Sequence, residues 1–129
     1  MKTVAIERRP RVLLVDDYQP LLVAWRRLLE PWCDVVGSVS NGREVIKVAV
    51  QCKPNVIVLD LNMPELNILD VCSTFKQVRP QIGVVLVSAA DDPDLRRVAF
   101  KLGASSFVSK YLAASELEPA IRRAFREGA

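Results

Sequence analysis

Five short aliphatic runs, at residues 12–15, 35–39, 56–59, 84–87 and the weaker 107–108, recur along the chain with a helix-spaced apolar stripe after each. Most are rich in Val and Ile and unbroken rather than alternating, which suits strands covered on both faces. The first stripe is Leu21, Leu22, Trp25, Leu28 and Leu29, with Pro20 in the expected first turn and Pro31 just past the end. Val45, Ile46, Val48 and Ala49 make the second, and Ile68, Leu69, Cys72, Phe75 and Val78 the third. The fourth holds Leu95, Val98, Ala99 and Leu102, stopped by Gly103; the last holds Leu117, Ala120, Ile121, Ala124 and Phe125. A strand–helix pair repeated five times, joined by right-handed crossovers, predicts an α/β fold: a doubly wound, five-stranded parallel sheet with helices on both faces.

In such sheets ligands bind outside the carboxyl ends of the strands, at a switch point in strand order. Asp16 and Asp17 follow the first run, Asp60 the third, Ser88 the fourth with Ala89 and Ala90 behind it, and Lys110 the fifth. One polar residue at a strand end needs no function; a set on successive strands does. Two carboxylates about 4 Å apart repel by roughly 4 kcal/mol at an effective dielectric near 20, and the single charge of Lys110 does not neutralise three. The cluster asks for a divalent cation, and an all-oxygen set suits Mg²⁺ or Mn²⁺ rather than zinc. A carboxylate beside such an ion can attack a phosphoryl group, with a lysine and a hydroxyl on the remaining oxygens. Asp60, a carboxylate ending a wholly apolar run, is thus placed to be phosphorylated.

At 129 residues, half of them hydrophobic and 26 % charged, the chain has the profile of one soluble globular domain. No apolar stretch approaches the length of a bilayer span, and the start has no apolar core of a signal peptide, so a cytoplasmic protein is expected. There is no histidine, which excludes Ser-His-Asp and Cys-His catalysis. Cys33, Cys52 and Cys72 are odd in number and widely spaced, which argues against a disulfide framework or a zinc site. The net charge is +3, and Arg8, Arg9, Arg11, Arg122, Arg123 and Arg126 gather at the two ends. They read as a solvated face or tail; no basic and aromatic stripe suggests direct nucleic acid binding. Residues 1–10 read as a loose N-terminal arm and 11–127 as the domain.

"VLLVDD", "VIVLDLNMP", "VVLVSA" and "GASSFVSK", in this order and spacing, resemble the receiver domain of two-component response regulators. The resemblance runs from Arg11 to about Arg126 and implies a flavodoxin-like (βα)5 fold in which a histidine kinase, or a histidine phosphotransfer protein, donates a phosphoryl group. It implies Asp60 as phosphoacceptor, with Mg²⁺ held by Asp60, Asp17 and the backbone carbonyl of Asn62, and by Asp16 through water. Ser88 matches the switch hydroxyl, with Ala89 supporting the site, Phe107 the switch aromatic and Lys110 the phosphate-binding lysine. Phosphorylation then changes the surface of the fourth helix, fifth strand and fifth helix. For Phe107 an ordinary core role fits as well as a switching one. The ending resembles receivers that precede a helix-turn-helix output domain, and a homodimer is among the open arrangements.

Three positions depart from the family pattern. Ile68 stands where Gly is frequent, eight residues after Asp60, and Asn67 with Asp70 looks like a helix cap there. Ser88 replaces the commoner Thr. Tyr111 follows Lys110 where Pro is usual, and a cis bond before a non-proline costs about 3 kcal/mol; a trans 110–111 peptide and an altered following loop are expected. Tyr18, Leu21 and Leu22 begin the first helix beside the acids, where related proteins meet their kinase, though packing explains the leucines as well. Trp25 and Trp32 read as packing residues that could also serve an interface. An interaction module working without phosphorylation is the competing reading. An aspartate-nucleophile phosphatase is remote, because Tyr18 stands where its second acid belongs.

Overall fold

The computed structural model of the chain describes residues 8–63, 65–90 and 92–128. Residues 1–7 of the expected arm, and the side chains of Ile68, Leu69 and Val78 on the expected third stripe, lie outside the described residues. The elements alternate as β1 (Arg11–Val15), α1 (Gln19–Leu29), β2 (Asp34–Val39), α2 (Val45–Cys52) and β3 (Val56–Asp60). Then come α3 (Ile68–Val78), β4 (Gly83–Ser88), α4 (Pro93–Lys101), β5 (Ser106–Ser109) and α5 (Ala113–Gly128). All strand pairs are parallel, in the order β2-β1-β3-β4-β5. The direction of winding therefore reverses between β1 and β3, which opens a crevice at their carboxyl ends.

The strands show no period-two pattern because both of their faces are buried. Val12, Leu14, Val56, Val58, Val85, Val87 and Val108 pack under α1 and α5, against Leu22, Trp25, Leu29, Leu117 and Ile121. The alternate residues Leu13, Val15, Ile57, Leu59, Leu86 and Phe107 pack under α2, α3 and α4, against Val45, Ala49, Val71, Phe75 and Ala99. Each fully buried Leu, Ile or Val stabilises the fold by about 1.5–3 kcal/mol relative to exposure. Gly83 starts β4 where a Cβ would lie 2.7 Å from the Ala124 carbonyl oxygen, so α5 reaches the sheet only over a glycine.

The helix ends follow local chemistry. Pro20 sits in the first turn of α1. Asn67 accepts a hydrogen bond from the Asp70 N–H and caps α3, and Asp92 accepts from the Asp94 N–H and caps α4. Gly103, at φ 97°, takes the left-handed turn after α4. The fourth stripe is less buried than its spacing suggests: in α4 Ala99 is buried while Val98 is 50 % exposed. Trp25 is a core residue, whereas Trp32 is half-buried at the rim of the same cluster.

Two basic residues are not the solvated tail expected of them. Arg9 donates to the carbonyls of Glu30, Pro31 and Cys33 and pairs with Asp34 at 2.9 Å. Arg11 donates to the carbonyls of Cys52 and Lys53. Their guanidinium groups satisfy the orphan carbonyls that end α1 and α2, where a cation is also favoured by the helix dipole. The last residues of the arm are therefore tied down, with Pro10 buried.

Candidate functional site

Strand register sets the level of each polar residue. Val15 lies opposite Leu59, Asp60 opposite Val87, and Ser88 opposite Ser109. Asp16 thus leaves β1 level with Asp60, and Lys110 leaves β5 just beyond Ser88. Asp16, Asp60 and Ser88 are buried, Asp17 is exposed, and the Lys110 side chain is 21 % exposed. Lys110 Nζ lies 3.0 Å from Asp60 Oδ2 and 3.0 Å from Asp16 Oδ2, bridging the two acids across the crevice.

The backbone holds the acids in place. Asp16 Oδ1 accepts from the Tyr18 N–H at 2.9 Å, and Asp60 Oδ1 from the Asn62 N–H at 3.0 Å. Each bond closes a two-residue turn that stops its strand. Met63, buried in the α2-α3-α4 side of the core, anchors the loop after β3. Asn62 Oδ1 accepts a long bond from the Ala89 N–H at 3.4 Å, and Ser88 Oγ accepts from the Ala90 N–H at 3.0 Å. The loops after β3 and β4 are thereby joined beside Asp60.

Burial pushes the Asp16 carboxyl above its ordinary range, and the neighbouring Asp60 charge adds to this; the Tyr18 N–H and Lys110 oppose it without cancelling it. For Lys110 burial favours the neutral amine, but the bonds and charges of Asp16 and Asp60 together outweigh it and hold the ammonium form. Asp16 Oδ2 is buried and lacks a well-directed hydrogen bond despite the nearby ammonium. Asp16, Asp17 and Asp60 each bring a carboxylate oxygen within 4.8 Å of the others. A deficit of positive charge, an orphaned buried oxygen and an oxygen-only donor set fit a hard divalent cation, and no cysteine or histidine belongs to the group.

Of the sequence-predicted residues, Asp16, Asp17, Asp60 and Lys110 converge, with Asn62, Ser88 and Ala89 on adjoining loops. Phe107 does not join them. It is 5 % exposed in the core under α4, with the Arg96 guanidinium 4.9 Å from its ring centroid. Tyr18 is exposed at the mouth, Leu21 is half-buried and Leu22 is in the core. The 110–111 peptide is trans, as expected, and Lys110–Leu112 forms a 3-10 turn in which Ser109 Oγ accepts from the Tyr111 N–H. Tyr111 itself is 82 % exposed. Sequence reasoning missed the bracing roles of the Asn62 side chain and of Met63; an Asx residue two positions after a strand-ending acid was the available signal.

The same arrangement recurs in known proteins. The profile of the family described as "Response regulator receiver domain" matches residues 12–122. The transcriptional regulatory protein DegU of Brevibacillus brevis is 28 % identical over 125 residues, covering 95 % of this chain and 53 % of that protein. The chemotaxis protein CheY of Thermotoga maritima is 27 % identical over 114 residues, covering 88 % of this chain and 95 % of CheY. The chain thus spans about half the length of DegU and nearly all of CheY. Among solved structures, the response regulator domain of Thermotoga maritima CheB superimposes with a TM-score of 0.82 at 29 % identity, covering 92 % of this chain and 98 % of that one. With the acids, lysine and hydroxyl at the switch point of a five-stranded parallel sheet, and the family profile matched across nearly the whole sheet, the chain belongs to the response regulator receiver domain family.

Proposed function

We propose that Asp60 is the phosphoacceptor of a signalling switch served by a sensor histidine kinase or a histidine phosphotransfer protein, over a receiver unit spanning residues 11–127. The observation that carries this reading is the Lys110 ammonium held 3.0 Å from both Asp60 and Asp16 at the switch point. An Asp60 carboxylate oxygen attacks phosphorus, the P–O bond forms, and the donor's P–N bond breaks with its electron pair returning to the partner's imidazole. Lys110 is placed to exchange one carboxylate contact for a phosphoryl oxygen, and the Ser88 hydroxyl to donate to another. Mg²⁺, or Mn²⁺ in its place, would be held by Asp17, Asp60 and the Asn62 carbonyl, with Asp16 contributing through water, and would offset repulsion between the carboxylate and the incoming phosphate.

Because Ser88 Oγ already accepts from the Ala90 N–H, a pull on this hydroxyl moves the loop that leads into α4, whose exposed Phe100 lines one surface cleft with Phe107 and β5. That links the acid site to the α4-β5-α5 surface as a two-state element. The chain performs only self-directed phosphotransfer and dephosphorylation, with output left to partners or to further domains.

Incubation with Mg²⁺ and a small phosphodonor, followed by intact-mass measurement, tests the assignment. One phosphoryl group is expected, absent in Asp60→Asn and in chelator. No gain in the folded protein would favour an interaction module that works without phosphorylation.

A further inference from the structure

The opposite pole of the sheet carries a second constellation that the acid site does not use. Arg8 and Arg9 lie just before β1, Trp32 lies two residues before β2, and Arg122, Phe125 and Arg126 lie toward the end of α5. These six residues line one cavity of about 530 Å³, within the range of small-molecule sites. Among the described residues no carboxylate lines it. Arg9 is committed to Asp34 and the α1 carbonyls, and Arg122 to Glu118 at 3.3 Å. Among the described residues Arg8 and Arg126 have no carboxylate partner, so the cavity retains positive charge.

The aromatic rings are equally specific in their use. The Arg122 guanidinium lies 4.4 Å from the Trp32 ring centroid, and that of Arg8 lies 5.7 Å from the Phe125 centroid. A guanidinium placed over a ring can stack a second planar group on its other face while its edge N–H groups bind phosphate in a fork. A solvated basic tail has no need of either ring. We infer that this pole is a binding site for a nucleotide, with its phosphates on Arg8 and Arg126 and its base stacked on the Arg122 guanidinium that lies over Trp32. The site is independent of phosphorylation at Asp60, which lies at the other end of the strands.

Titration of the ¹⁵N-labelled protein with ATP and with GTP, in chelator so that no divalent ion reaches the acid pocket, reads this directly at the two indole N–H resonances. Trp32 should shift saturably while Trp25, in the core, does not. Tripolyphosphate should bind at least about fivefold more weakly for want of a base to stack, and adenosine at least about fivefold more weakly for want of phosphates to meet the guanidinium groups. Arg126→Ala should weaken binding about tenfold, as expected for loss of a charged hydrogen bond. Arg126→Lys should recover only part of it, and both variants should still be phosphorylated at Asp60. Four outcomes would each overturn the inference: no saturable shift of Trp32 at millimolar nucleotide, tripolyphosphate equal to ATP and GTP, adenosine equal to them, or affinity unchanged in Arg126→Ala.

Discussion

Asp16 carries a poorly compensated charge, because it is fully buried, shares one ammonium with Asp60, and leaves Oδ2 without a directed hydrogen bond. Its carboxyl is raised by burial first, so the folded state binds this proton more tightly than the unfolded chain does. The associated stability is present below the ordinary value of 3.8 and is lost as pH rises through the higher folded value. In metal-free protein Asp16→Asn should therefore raise the melting temperature at neutral pH, with the gain vanishing below about pH 3.8, near the usual Asp value, while weakening Mg²⁺ binding. Thermal melts of both proteins across pH in chelator check the sign. The cysteines differ for the same reason of burial. The Cys33 thiol is pushed up to about 12 and that of Cys72 is also raised, whereas Cys52 is half-buried and donates weakly to the Val36 carbonyl. At pH 8 a thiol near 12 is thiolate in roughly one molecule in ten thousand. Alkylation of the native protein, followed by peptide mapping, should therefore mark Cys52 well before Cys33 and Cys72.

At the scale of elements, α5 is packed backbone-close against the start of β4. A Cβ on residue 83 would meet the Ala124 carbonyl at 2.7 Å and its Cβ at 2.8 Å, and backbone cannot rotate aside as a side chain can. Gly83→Ala should cost about 1–3 kcal/mol, the range of overpacked cores, measured by denaturant unfolding, with Asp60 phosphorylation retained if α5 shifts without unfolding. The ten elements themselves were legible in the chain, since each aliphatic run became a strand and each stripe a helix. Their extents were less so. β5 grew from Phe107-Val108 to Ser106–Ser109 because the sheet supplies ladder bonds to any backbone laid against β4. Val98 sits on its stripe yet stays half exposed, because α4 packs on the sheet chiefly through Ala99.

For the molecule as a whole, charge is divided between the two ends of the strands: the acids at the carboxyl ends, and Arg8, Arg9, Arg11, Arg122 and Arg126 toward the other. A divalent ion bound only by the folded acid site stabilises by mass action. At ten times its dissociation constant Mg²⁺ should add about 1.4 kcal/mol, a rise of roughly 4–6 °C for a domain of this size, reversed by chelator. The chain by itself determined the strand–helix alternation and the positions of Asp16, Asp17, Asp60, Ser88 and Lys110 at strand ends. Apolar periodicity and a polar residue closing an aliphatic run are local facts, readable one segment at a time. Only the tertiary structure decided that Lys110 would bridge Asp16 and Asp60, or that Phe107 would lie in the core away from them. It alone turned Arg9 and Arg11 from an apparent tail into caps for α1 and α2, and set Arg8 and Arg122 over Phe125 and Trp32. These are contacts between residues tens of positions apart, and their partners are chosen by sheet order and register, which no single segment encodes.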